Sequence, residues 1–244
     1  EEDASLVVTE RITVSIEHKA IIHGIYRIYP VKIRENGDVL RHYGFEVLSA
    51  KLDGKDTPYS VTEEGYTAGV AMGDPESKAP RGSHTYELTY RTTGHVRFLP
   101  ARDEIYYNVT GNFWKFPIDH VSFTLELPGG ASPEAVTAFT GALGAKGAEY
   151  RMTGPSSLET TGALSPGEGI TVACGWKKGI VTEPEKNLSD FMGDNRALTL
   201  SAIPLFQLLL FLLLRLLWTH RRRGVAYPLF HAPEGMSPGA AACL

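Results

Sequence analysis

"SLVVTERITVSIEH", residues 5–18, decides how the chain is read. Leu6, Val8, Ile12, Val14 and Ile16 alternate with Thr9, Arg11, Thr13 and Ser15. A period of two sends successive side chains to opposite faces, so the stretch predicts a strand with one buried face. The same period returns in "HTYELTYRT" (84–92), "HVSFTLELPGG" (120–130) and "GITVACGW" (169–176). Turn residues separate these runs: Asn36-Gly37-Asp38, Asp53-Gly54, Glu64-Gly65, Gly73-Asp74-Pro75, Pro128-Gly129-Gly130 and Pro166-Gly167. No window before residue 197 carries a helical period. The pattern predicts a mainly β chain, with about nine or ten short strands in an antiparallel β-sandwich over residues 1–180. No repeat of fixed period is present, which disfavours a propeller or solenoid.

The character of the chain changes at "ALTLSAIPLFQLLLFLLLRLLWTHRRRG", residues 197–224. Twenty-two residues from Ala197 to Trp218 include only Gln207 and Arg215 as strongly polar side chains, and at about 1.5 Å per residue they cover the roughly 30 Å of a hydrocarbon core. The nine Leu and two Phe between Leu205 and Leu217 favour insertion by on the order of 5 kcal/mol. Arg215 lies near one end, where its long side chain can reach the interface. A transmembrane helix is therefore expected over 197–219, with Pro204 close to its first turn. Trp218 reads as an interfacial anchor. Arg215, Arg221, Arg222 and Arg223 form a basic flank, which predicts a cytoplasmic C-terminus and an N-terminal domain outside the cytoplasm. Residues 181–196 read as a juxtamembrane linker, and 220–244 as a basic flank with a Pro/Gly/Ala-rich tail. An external N-terminal domain implies a signal peptide, so a chain opening on "EEDASLVV" is expected to be a mature or trimmed form.

Composition narrows the function classes. The formal net charge is -4 over 244 residues, and the only basic cluster is the membrane flank, so a nucleic-acid partner is not expected. Cys174 and Cys243 lie on opposite sides of the apolar segment and build no disulfide framework. Cys174 alternates with Val172 and Trp176 and reads as a core residue. The histidines lack short metal-ligand spacing, and neither a phosphate-binding loop nor a nucleophile elbow occurs. No metal, cofactor or catalytic residue is predicted.

Several stretches carry a resemblance: "HGIYRIYP" (23–30), "MGDPE" (72–76), "GSHTYELTY" (82–90), "EIYYNVTGNFWKFPI" (104–118) and "APEGMSPGAAACL" (232–244). In this order they resemble the YciQ-like predicted bacterial membrane proteins, domain-of-unknown-function family 2207. The resemblance implies an exported β-sandwich followed by a membrane helix, with further membrane helices beyond. It departs from the family pattern at Ile28, where an acidic residue commonly follows the arginine, and at Tyr106-Tyr107-Asn108, where Tyr-Trp-Asn is frequent. It implies an architecture rather than a reaction.

Two stretches invite a functional reading. In "HGIYRIYP", one reading is a sheet corner with Tyr26 packed inward and Arg27 meeting a carboxylate. The other is a ligand lip made by Tyr26, Arg27 and Tyr29, since arginine recognises carboxylate or phosphate with two parallel donors. In "EIYYNVTGNFWKF", the aromatics cannot all face one core under strand alternation, so Tyr107, Asn108 and Trp114 are candidate ligand contacts. A carbohydrate-active enzyme is the competing class: Asp74 or Glu76 with Asp103 or Glu104 would supply two carboxylates. A structural spacer without a ligand is the third. The leading expectation is a membrane-anchored, extracytoplasmic binding or assembly module. Its expected partners are the lipid bilayer, an envelope component, and further membrane subunits or helices of the same protein.

Overall fold

The computed structural model describes residues 1–35, 39–185 and 196–221. The chain divides into two compact units, Glu1–Lys186 and Asn187–Leu244. Sixteen strands are assigned among the described residues of the first unit. They are β1 (Leu6–Ile16), β2 (Gly24–Pro30), β3 (Lys32–Glu35), β4 (Val39–His42), β5 (Phe45–Leu52), β6 (Lys55–Asp56), β7 (Tyr59–Glu64) and β8 (Thr67–Gly73). The series continues with β9 (Gly82–Thr92), β10 (Val96–Phe98), β11 (Asp103–Asn108), β12 (Ser122–Thr124), β13 (Ala135–Gly141), β14 (Tyr150–Met152), β15 (Ser157–Thr160) and β16 (Gly169–Trp176). The excess over the nine or ten expected lies mostly in pieces of two to four residues, too short to display a period.

All pairings are antiparallel, and they build several sheets. The order β1-β9-β5-β6 forms one four-stranded sheet, and β10-β11-β16-β13 forms another. Three-stranded sheets run β2-β8-β7 and β12-β15-β14. Two hydrophobic clusters follow where one sandwich core was expected. One joins Ile16, Tyr86, Leu88 and Tyr90 to Ile25, Tyr29, Val70 and Met72, so β1-β9-β5-β6 packs against β2-β8-β7. The other joins Ile105, Val172, Cys174 and Trp176 to Leu158 and Leu164, between β10-β11-β16-β13 and the β12-β15-β14 region. Leu6 and Val8 lean on the second cluster while Ile12 and Val14 lean on the first. The long strand β1 thus serves both cores, with Val8 touching each.

The inward phase of β1 follows the alternation in its sequence, and the register against β9 runs without a bulge from Leu6–Thr92 to Ile16–Gly82. Cys174 is fully buried, and burial pushes its thiol up to about 11.

The second unit holds helix α1 (Arg196–Arg221), which is long and apolar enough to cross a membrane over Leu200–Thr219. Pro204 sits inside this helix, two turns from its start, and not near the first turn as expected. The reason is that the helix begins at Arg196 and runs through the proline. Proline has no N–H for the Leu200 carbonyl, an omission that membrane helices tolerate when neighbouring groups re-satisfy the backbone. On a 100° wheel, Ser201, Gln207, Arg215 and Thr219 fall within an arc of about 120°. Trp218 and Arg215 lie in the described helix, and Arg221 closes it. Arg222, Arg223 and the remainder of the tail lie outside the described residues, as does most of the expected linker.

Candidate functional site

Strand alternation aims a charge into the protein at two places. Even-numbered positions of β1 face inward, and Glu10 is the one charged residue among them. In β2, Ile25, Arg27 and Tyr29 are buried while Tyr26 and Pro30 are exposed. Glu10 and Arg27 meet as a fork: Nε donates to Oε2 at 2.8 Å and Nη2 donates to Oε1 at 3.1 Å. Tyr29 donates to Oε2 at 3.1 Å and Tyr90 to Oε1 at 2.8 Å. The carboxylate therefore accepts four hydrogen bonds, its full capacity. The Tyr107 hydroxyl bonds to that of Tyr90. Since the Tyr90 proton is committed to Glu10, Tyr107 is the donor.

Arg27 reaches a third sheet through the chain that leaves β11. Its Nη2 donates to the Val109 carbonyl at 2.9 Å, and its guanidinium lies over the Tyr29 ring at 4.7 Å and the Trp114 ring at 5.8 Å. The loop is shaped for this approach. Asn108 accepts the Gly111 N–H at 2.9 Å and donates to Asn112 Oδ1 at 2.8 Å. Trp114 Nε1 donates to the Thr110 carbonyl at 3.0 Å. Gly111 has φ +70°, and a Cβ there would stand 2.7 Å from Arg27 Nη1. Glycine is required on both counts.

Burial opposes the charge of Arg27, but Glu10, aided by Tyr29 and Tyr90, outweighs it and holds the guanidinium above its ordinary range. Burial, reinforced by the Glu10 charge, pushes the phenols of Tyr29, Tyr90 and Tyr107 above the usual tyrosine range. His95 borders this network, edge-on to Tyr107 at 5.1 Å and stacked on Tyr43 at 4.3 Å. Burial lowers its pKa to about 4. Thr92 Oγ1 donates to the Gly44 carbonyl, so His95 Nε2, 2.9 Å from the same oxygen, carries the ring proton.

The arrangement turns most of the residues read as a ligand lip in "HGIYRIYP" toward the inside of the protein. Arg27 is 4% exposed, Tyr29 6% and Tyr107 8%, and each is occupied by internal partners. Tyr26 is 53% exposed on the outer face rather than packed inward, because the phase that buries Arg27 must turn its neighbour outward. Its ring lies on Gly69, where a Cβ would fall 1.8 Å from the phenol oxygen. Asn108 and Trp114 are half-buried and build the loop. The aromatic stretch divides as alternation requires: Tyr107 points inward, whereas Tyr106 and Phe113 are exposed. Glu10, Tyr90, Gly111 and His95 were not singled out in the sequence. For Glu10 the signal was available, an acidic residue in the apolar phase of a strand.

Three of the four carboxylates considered for catalysis, Asp74, Asp103 and Glu104, are engaged by neighbouring groups. Asp74 accepts the Glu76 N–H at 2.9 Å and the Ser77 hydroxyl at 2.7 Å in the turn after β8. Asp103, buried, accepts from Lys178 at 2.9 Å, and Glu104 accepts from Arg102 at 3.2 Å. Among the described residues, no group of three or more His, Cys, Asp or Glu could hold a metal ion.

A cleft of about 1980 Å³ lies among the described residues of the β-rich unit. Residues 5–15, which include nearly all of β1, line one side, and 116–129 line the other. Glu10, Arg27, Tyr107 and Trp114 also contribute to its lining, so the buried network meets solvent space here. None of Asp74, Glu76, Asp103 and Glu104 borders it.

Comparison with known proteins agrees with this architecture. The family described as "Predicted membrane protein (DUF2207) N-terminal domain" matches residues 1–176. The uncharacterized protein YciQ of Escherichia coli (strain K12) is 25% identical over 126 residues, which is 51% of this chain and 20% of the relative. The matched segment thus spans about a fifth of that curated relative's length. No solved structure matches. With a β-rich unit matched over most of its length and an apolar helix after it, the chain belongs to the DUF2207 family of predicted membrane proteins.

Proposed function

We propose that this chain is a membrane-anchored binding or assembly module whose β-rich unit works outside the cytoplasm, with the C-terminus inside. The cleft along β1 is the observation that carries this reading: it is large, open and continuous with a fixed network of charged and phenolic groups. Fixed side chains favour binding, because little ordering entropy remains to be lost when a ligand arrives. A binding role also suits carboxylates that are tied to turns and salt bridges away from the cleft. Sidedness rests on the arginines that follow the apolar helix. The partner is an envelope component or a membrane part of the same assembly, and the net charge of -4 disfavours nucleic acid.

Site-specific photo-crosslinking in intact membranes tests the reading. A crosslinker at Ile12 or Phe123, both in the cleft lining, is expected to give a discrete adduct. The same group at Lys55, in the exposed strand β6, is expected to give none. Absence of an adduct from both cleft positions contradicts a binding role.

A further inference from the structure

Strand β1 stands at the edge of its sheet, paired only with β9. Its eleven residues run in unbroken register, with no proline and no bulge. Along its other edge the backbone N–H and C=O groups have no backbone partner among the described residues. Unpaired edges are usually shortened, bent, charged or covered, because they template pairing with another chain. Here the edge opens on the cleft. The facing wall includes β12, which is itself the edge strand of the β12-β15-β14 sheet. Among the described residues, two strand edges without a backbone partner therefore border one space.

The dimensions suit an added strand. Eleven residues extend about 37 Å. The cleft holds about 1980 Å³. Its charge is also directional. Glu10 is neutralised by Arg27 and Glu17 by Lys19. Glu1, Glu2, Asp3, Asp119 and Glu126 then outnumber Arg91 and Arg11, and Arg11 is paired with Glu87.

We propose that the cleft receives an extended, basic polypeptide segment that adds to the free edge of β1 as a further strand. Main-chain hydrogen bonds to β1 supply affinity, and alternate side chains enter the cleft while lysine or arginine meets its acidic rim. This rests on the binding-module reading and names the partner's chemistry. A second copy of this chain would fill the same space differently, and the experiment separates the two.

The full chain in lipid nanodiscs is mixed with an eleven-residue peptide of alternating Lys/Thr and Val, and amide hydrogen exchange is followed. Alternate amides of β1 are expected to gain at least tenfold protection. Replacing Lys by Glu in the peptide, or N-methylating its alternate amides, is expected to abolish that gain. The peptide carries the changes, so the protein's folding is not at stake. Several outcomes overturn the proposal: no protection of β1, equal protection by the Glu or N-methylated peptides, or β1 protection that rises with protein concentration alone, which marks a second copy. If crosslinks still form from Ile12 or Phe123 while β1 amides stay unprotected, the strand proposal fails and the binding-module reading stands. If those crosslinks are also absent, both fail.

Discussion

Arg27 donates two hydrogen bonds to Glu10, at 2.8 and 3.1 Å, and a third to the Val109 carbonyl at 2.9 Å. One guanidinium thereby ties β1, β2 and the chain leaving β11, which belong to three different sheets. Replacing only one partner of a buried pair leaves the other charge uncompensated, at a cost of about 3–5 kcal/mol. Glu10→Leu and Arg27→Met are each expected to destabilise the protein by that order. The pair Glu10→Leu with Arg27→Met is expected to cost less than the sum of the single changes. Denaturant unfolding of the four proteins in a double-mutant cycle checks this, and strict additivity would show that the pair is not coupled.

Gly111 has its own consequence. Alanine there faces both a left-handed backbone and a contact of 2.7 Å with the Arg27 guanidinium. Gly54 has a similar φ of +77° but open space around its Cβ position. Gly54→Ala is expected to cost about 1 kcal/mol from the backbone alone, and Gly111→Ala about 2–3 kcal/mol. Comparison of the two thermal midpoints separates the contact from the strain.

His95 gives stability a pH dependence with a defined sign. Its folded pKa, about 4, lies below the ordinary 6.5. Between these values the unfolded chain binds a proton that the folded protein refuses, so stability falls as pH drops through the window. The loss accumulates to about 3 kcal/mol by pH 4. His95→Gln, which keeps a donor toward Thr92, is expected to flatten the slope between pH 6.5 and 4. Asp3, Asp53 and Asp74, whose pKa values are held low mainly by hydrogen bonds, weaken the fold in the same direction but at more acid pH. Unfolding titrations of parent and variant isolate the histidine.

The legible part of this fold was its local periodicity. Alternation in "SLVVTERITVSI" marks the buried face of β1, and the apolar run after Ala197 marks the helix. Strand order was not legible, because the Glu10–Arg27 fork, the Tyr90–Tyr107 contact and the cleft join segments that only sheet topology brings together. The same non-local arrangement divides the core in two. Arg27 and Tyr107 drew attention as polar and aromatic residues in apolar runs, yet those features fit an internal joint as well as a surface lip. Strand phase, applied to Tyr26 and Arg27 together, was the cue that separated the two.

Sidedness is the claim on which the functional account depends most, and the chain's own cysteines provide its test. Cys174 is fully buried and stays silent in the folded protein, while Cys243 lies in the tail beyond the arginines. In spheroplasts treated with a membrane-impermeant maleimide, Lys55→Cys, at an exposed strand position, is predicted to be labelled at once. Cys243 is predicted to react only after the membrane is permeabilised. Labelling of Cys243 in sealed spheroplasts, with Lys55→Cys protected until lysis, would contradict an external β-rich unit and with it the binding role proposed for its cleft.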